Sequence, residues 1–231
     1  VPAATPANTV VAFSDLADVE TKGLIEELHQ LNVFEGMGPE FKPYEPITRG
    51  EYITWLFKAY NAIRPAGDKI RKAPQLPPQF KDLPATHPAY PYAQALANAG
   101  YSVGYDDGTF KPDQPLTREE LVAIKVGVDK GKSMKPEGLA DLNATWSFSD
   151  APAIDKRYTG YVYADYFAYN PSSTSGQSRS NIIRSFGKIG TFRPKSAVLR
   201  HEAAASLWQV DEYAHATATI ALERLAHPEG Q

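Results

Sequence analysis

Self-similarity constrains this chain more than any other feature. Phe13-Ser14-Asp15, Phe80-Lys81-Asp82 and Phe148-Ser149-Asp150 share an F-x-D form and begin 67 and 68 residues apart. A second signature follows each one. Phe41-Lys42-Pro43 leads to Ile47-Thr48-Arg49-Gly50-Glu51, Phe110-Lys111-Pro112 to Leu116-Thr117-Arg118-Glu119-Glu120, and Phe192-Arg193-Pro194 to Val198-Leu199-Arg200-His201-Glu202. In all three the Arg stands eight residues after the Phe. Repetition of two ordered signatures implies three copies of one unit, and such units bury their apolar faces by packing on their neighbours.

The stretches between the signatures carry helical periodicity. Leu24, Ile25, Leu28 and Leu31 recur at helical spacing before Gly36, and Tyr92, Ala95, Leu96 and Ala99 before Gly100. A second helix follows each Arg-x-Glu, over residues 52–63, 121–128 and, longer in the last copy, about 198–226. The expected fold is therefore all-α, three helix-loop-helix repeats. Gly104-Tyr105-Asp106-Asp107-Gly108-Thr109-Phe110 is the fullest form of the loop, with glycines where the backbone needs positive φ.

Proline and polar residues mark the boundaries. Residues 1–12 read as a tether, 13–79 as repeat one with its linker, 80–143 as repeat two with its linker, and 144–231 as repeat three with a C-terminal helix. Repeat three also carries an insertion near residues 170–181, which includes Pro171-Ser172-Ser173-Thr174-Ser175-Gly176 and reads as a surface loop. The start Val1-Pro2-Ala3-Ala4 is compatible with a mature chain whose targeting segment has been removed, or with a trimmed sequence.

With 42% hydrophobic and 22% charged residues the chain can build a core. A net charge of -3 gives no field to hold a phosphate backbone, so nucleic acid is not expected as a partner. No run is long and apolar enough to span a bilayer. Cysteine is absent, which removes disulfides, thiolate zinc sites and cysteine nucleophiles. The histidines, His29, His87, His201, His215 and His227, have no metal-ligand spacing, and no cofactor fingerprint or nucleophile elbow is present. No metal, no cofactor and no enzymatic activity are expected.

Thr48-x-x-Glu51 and Thr117-x-x-Glu120 match a capping box, which accounts for Thr and Glu structurally. The Arg between them has no capping task, and a cation at the positive end of a helix dipole is mildly unfavourable. Two readings remain open: a planar fork facing a ligand carboxylate, aided by the helix N–H groups, or an ion pair with Asp15, Asp82 or Asp150. Asp106-Asp107 reads as an acidic turn rather than a calcium loop. The aligned phenylalanines, with Trp55 and Trp208, read as core. Tyr158, Tyr161, Tyr163, Tyr166 and Tyr169 crowd one helix-like stretch and are candidates for a protein interface or for stacking on sugars.

With these motifs in place the chain resembles the S-layer homology family from Phe13 to about Val210, most specifically in the middle repeat. The wording from Glu51 to Asn61 is more similar to the cyanobacterial and plastid branch. The resemblance implies repeats about a pseudo-threefold axis, with inter-repeat grooves that bind an anionic, often pyruvylated cell-wall polysaccharide. It also implies that Arg49, Arg118 and Arg200 face the ligand carboxylate, with Gly104, Asp106, Asp107 and Gly108 as companion loop residues. The expected function is a non-catalytic, extracytoplasmic envelope anchor. The alternative is a protein-interaction scaffold on an envelope or photosynthetic membrane complex, in the periplasm or in the lumen of a photosynthetic compartment.

Overall fold

A computed structural model describes residues 10–65, 68–72, 76–101, 103–167, 180–211 and 216–227. Residues 1–9 of the expected tether, Tyr169 and all of the insertion up to residue 179 lie outside the described residues. Among those described there are nine α-helices and no strand. Repeat one supplies α1 (Lys22–Gln30) and α2 (Arg49–Ile63), and repeat two supplies α3 (Tyr90–Asn98) and α4 (Arg118–Lys130). The remainder forms α5 (Leu139–Thr145), α6 (Thr159–Tyr166), α7 (Asn181–Phe186), α8 (Arg200–Leu207) and α9 (Ala218–Ala226).

One local device recurs in all three repeats and accounts for both signatures. The F-x-D carboxylate accepts from two successive backbone N–H groups of the downstream motif. Asp15 takes Phe41 and Lys42 at 2.8 and 2.7 Å, Asp82 takes Phe110 and Lys111 at 2.7 and 2.9 Å, and Asp150 takes Phe192 and Arg193 at 2.8 and 2.7 Å. The second residue of each pair is left-handed, with φ of 60°, 56° and 55°. That conformation costs a non-glycine residue roughly 1–2 kcal/mol, and two charge-assisted hydrogen bonds offset it. The two phenylalanines of each repeat then meet, with ring centroids 5.3, 5.2 and 5.3 Å apart for Phe13–Phe41, Phe80–Phe110 and Phe148–Phe192. The aspartates are thus occupied by backbone, and of the two readings of the motif Arg the ion pair with Asp15, Asp82 or Asp150 is not formed.

The residue before each helix N-cap closes the molecule on itself. The N–H of Ile47 donates to the carbonyl of Val198, that of Val198 to Leu116, and that of Leu116 to Ile47, at 3.0, 2.8 and 2.9 Å. All three side chains are fully buried. The first N–H of α2, α4 and α8 also crosses to a neighbouring repeat, Arg49 to Gln114, Arg118 to Ser196 and Arg200 to Glu45, at 3.0, 3.1 and 2.9 Å. Donors that a helix start normally leaves open are used here to join repeat to repeat.

Two expectations about helices need correction. The long helix expected over about 198–226 is broken: α8 ends at Leu207, Asp211 takes a φ of 66°, and Thr217 caps α9 by accepting from the N–H of Ile220. A β-bridge between Gln209 and Thr217 and a bond from the N–H of Asp211 to Asp129 fix the break. The polar linker after Lys130 is likewise not all loop, because α5 begins within it and buries Leu142. In repeat three the insertion divides the first helix into α6 and α7, and α7 packs on α8. Asp165 at the end of α6 holds the start of α7, accepting from Ser180, from the backbone of Asn181 and Ile182, and from the Asn181 amide.

Candidate functional site

The three motif arginines form a second cyclic set. Arg49 donates to the carbonyls of Phe110 and Val103 in repeat two, at 2.9 and 2.7 Å, and its third nitrogen faces Glu120 at 3.7 Å. Arg118 reaches Phe192 and Glu202 in repeat three, at 3.3 and 2.7 Å. Arg200 returns to Phe41 and Glu51 in repeat one, at 2.8 and 2.7 Å. Each guanidinium also lies over a ring of the repeat it enters: Arg49 over Tyr105 at 4.4 Å, Arg118 over Phe186 at 4.3 Å, Arg200 over Trp55 at 4.7 Å.

The charge at the helix start is therefore met from within the protein. Each capping-box Glu performs two tasks, because a carboxylate has two oxygens. Glu51, Glu120 and Glu202 accept the N-cap N–H of Thr48, Thr117 and Leu199 on one oxygen, at 3.0, 3.0 and 2.8 Å, and face the Arg of the preceding repeat with the other. Local capping alone left this second task invisible in the sequence. Burial acts to raise the pKa of Glu51 and Glu120. The Thr48 N–H and Arg200 outweigh it for Glu51, and the Tyr105 hydroxyl, the Thr117 N–H and Arg49 outweigh it for Glu120, so both titrate below the ordinary glutamate range.

The loop of repeat two belongs with the Arg of repeat one, not with Arg118 of its own repeat. Arg49, Gly104 and Asp106 line one cavity of about 100 Å³, together with Arg157 and Tyr158 from the turn before α6 and Tyr161 from its first turn. Three repeats contribute to it. Gly104 is required for a packing reason rather than for positive φ, since a Cβ there would lie 2.3 Å from the Phe80 ring. Gly108 does have positive φ, at 78°. Asp107 points back into its own turn, accepting from the N–H and hydroxyl of Thr109 at 2.9 and 2.6 Å. Those bonds hold its carboxyl below the usual range.

The tyrosines divide between two places. Tyr158 and Tyr161 enter the cavity, and burial pushes the Tyr158 phenol up to about 12. Tyr163 and Tyr166 pack instead against exposed Phe167, and Tyr166 stands edge-on to Trp146 at 5.2 Å. Arg157 and Asp155 were missed by sequence reasoning because they fall in no repeated motif. The only local signal was opposite charges two residues apart. Among the described residues no group of three or more His, Asp or Glu side chains could hold a metal ion, and no helix is long and apolar enough to cross a membrane.

Comparison with known proteins bears on this geometry. Residues 12–53 and 79–122 match the S-layer homology domain. Each match covers the body of one repeat, the first and the second, and ends in the helix that carries the motif Arg. The third repeat lies outside the matched residues. The chain is 32% identical over 167 residues to the cellulosome-anchoring protein of Acetivibrio thermocellus, covering 69% of this chain and 34% of that protein. It is 31% identical over 162 residues to cell surface glycoprotein 1 of the same organism, covering 66% of this chain and 7% of that protein. A third relative there, exoglucanase XynX, is 26% identical over 211 residues, covering 86% of this chain and 16% of the exoglucanase. The chain thus spans between 7% and 34% of the length of these relatives.

Proposed function

We propose that this chain is a non-catalytic, extracytoplasmic module of three S-layer homology repeats about a pseudo-threefold axis, which holds a larger protein to an anionic, pyruvylated cell-envelope polysaccharide. The observation that carries the reading is the cavity beside Arg49. It gathers a motif Arg, the Gly104 and Asp106 loop, and three tyrosines into one concave place. Aromatic faces suit the C–H faces of a sugar ring, Asp106 can accept from sugar hydroxyls, and the basic groups suit a carboxylate. On the same cyclic plan, the corresponding grooves would lie beside Arg118 and Arg200. The named role of the cellulosome-anchoring relative supports the same reading, as does its similarity to only a part of that protein. The exoglucanase matches over only a sixth of its length, which fits an anchoring part shared by proteins of different activity.

The test is retention on purified envelope polysaccharide, in its native form and after chemical reduction of its carboxyl groups. Binding to the native polymer should weaken as salt rises, because partly solvated charge contacts are screened, and it should be lost on the reduced polymer. Undiminished binding to the reduced polymer would remove the acidic group from the recognition.

A further inference from the structure

We infer that Arg157, a side chain outside every repeated motif, reads the acidic group of the ligand in the cavity beside Arg49, and that Arg49 itself builds the cavity wall; the inference rests on the polysaccharide reading above. The two arginines line the same space but differ in what they have left to offer. Arg49 is 2% exposed. Its Nε and Nη2 are taken by the carbonyls of Phe110 and Val103, and its Nη1 faces Glu120. Reaching a ligand would strip two buried carbonyls of their donor, and each orphaned buried group costs about 1–3 kcal/mol.

Arg157 is placed oppositely. Its side chain is 52% exposed, and Asp155 engages only one edge of the guanidinium, through Nε at 3.1 Å and Nη2 at 2.7 Å. A guanidinium has a second fork, formed by Nη1 and the outer proton of Nη2, with the same bidentate geometry. In Arg157 that fork is unoccupied by protein, among the described residues. The plane of the group is fixed from two sides, because Asp155 also accepts the Arg157 N–H at 3.0 Å and the guanidinium carbon lies 5.2 Å from the centre of the Tyr158 ring. The backbone N–H of Asp155 in turn donates to buried Glu119 at 2.9 Å, which ties this pair to α4. Arg157 holds the Asp155 carboxyl down to about 2, so the pair stays charged wherever a sugar carboxylate is itself ionised. Asp106 on the facing loop also acts on Arg157 through its charge. An incoming carboxylate therefore meets a held, half-neutralised fork with a tyrosine face beside it.

Titrations of the full chain with native and carboxyl-reduced envelope polysaccharide test this, read together with melting curves. Arg157→Gln should weaken binding to the native polymer by roughly tenfold or more, the expected loss for a charge-assisted hydrogen bond. It should leave affinity for the reduced polymer unchanged and lower the melting temperature only slightly, because the pair it breaks is exposed. Asp155→Asn should move the other way, tightening binding to the native polymer several-fold, because Asn can still accept the Arg157 backbone N–H while releasing the guanidinium charge. If the parent chain binds the native polymer and both variants match it, Arg157 is not the reader and only this inference falls. If the parent chain does not bind the native polymer, the polysaccharide reading falls and takes this inference with it.

Discussion

Around Arg49 the neighbouring repeats place Tyr105, Tyr158 and Tyr161; against Arg200 stand Met37 and Trp55, which also line a trough that reaches His87. The two spaces are built from matching positions, since Ile124 and Trp55 both stand six residues after their motif Arg. Yet the first is a cavity of about 100 Å³ and the second an open trough of about 670 Å³. The rim of the second carries Glu35, Glu51 and Asp113, with His87 bonded to Asp113 at 3.2 Å. The motif Arg makes the same kind of contacts in both places. What has diverged is the wall, so the contacts that join the repeats and the side chains that shape each space are different residues of one repeated plan.

The sharpest way to break this comparison is to remove the arginines. Arg49→Ala should lower the unfolding free energy by about 3–5 kcal/mol, because it orphans two buried carbonyls and removes the cation that faces Glu120. Arg200→Ala should cost less, about 1–3 kcal/mol, because its partner Glu51 has a side chain 44% exposed and can turn to water. Equal losses in urea unfolding would show that the two staples are energetically alike. The loops separate next. Gly104→Ala drives a Cβ into the Phe80 ring and should cost about 1–3 kcal/mol with loss of polymer binding. Gly36→Ala, at φ 87° with open space around it, should cost about 1 kcal/mol and leave binding alone. Retained polymer binding by a folded Gly104→Ala variant would uncouple that cavity from the function.

Smaller effects test the helix starts. Thr48→Ala should cost about 1 kcal/mol, since the Thr48 hydroxyl accepts the Glu51 N–H at 3.2 Å. Leu199→Ala should lose nothing of that kind, since a leucine side chain accepts no hydrogen bond. The smallest effect is a pH dependence. Glu51 and Glu120 titrate below 4.5 in the folded chain, so their contribution is fully present above that pH and is lost as pH falls through the folded values. Glu51→Gln should flatten that part of a melting-temperature profile. An unchanged profile would mean that the Arg200 pair adds nothing measurable.

The repeat and its helices were legible because a duplicated unit repeats its backbone requirements: an Asp to hold a left-handed residue, a Phe for the socket, a capping Glu. Local periodicity could not reveal the break after Leu207. Its cause is distant, with Asp129 holding the Asp211 backbone, although Thr217 ahead of Ala218 offered a capping signal. One of the two readings left open for the motif Arg, an ion pair with the F-x-D aspartate, fails for a related reason. Charge suggested Arg, whereas backbone N–H groups in the left-handed turn were the nearer donors. The cavity was legible in parts, as Arg49, Gly104, Asp106, Tyr158 and Tyr161. That these parts come together from three repeats is a property of ring closure, which no single repeat encodes.

Closure also sets a timescale. The bonds from Ile47 to Val198 and from Arg200 to Glu45 and Phe41 join the first repeat to the last, and they form only after most of the chain has been gathered. Such distant contacts carry the largest loop-closure entropy and slow the approach to the native state. Once formed, they must be given up before either end repeat can leave, so spontaneous opening should be slow as well. For a molecule whose work would be to hold on under load, a long lifetime of the joined state matters more than the equilibrium depth of its well.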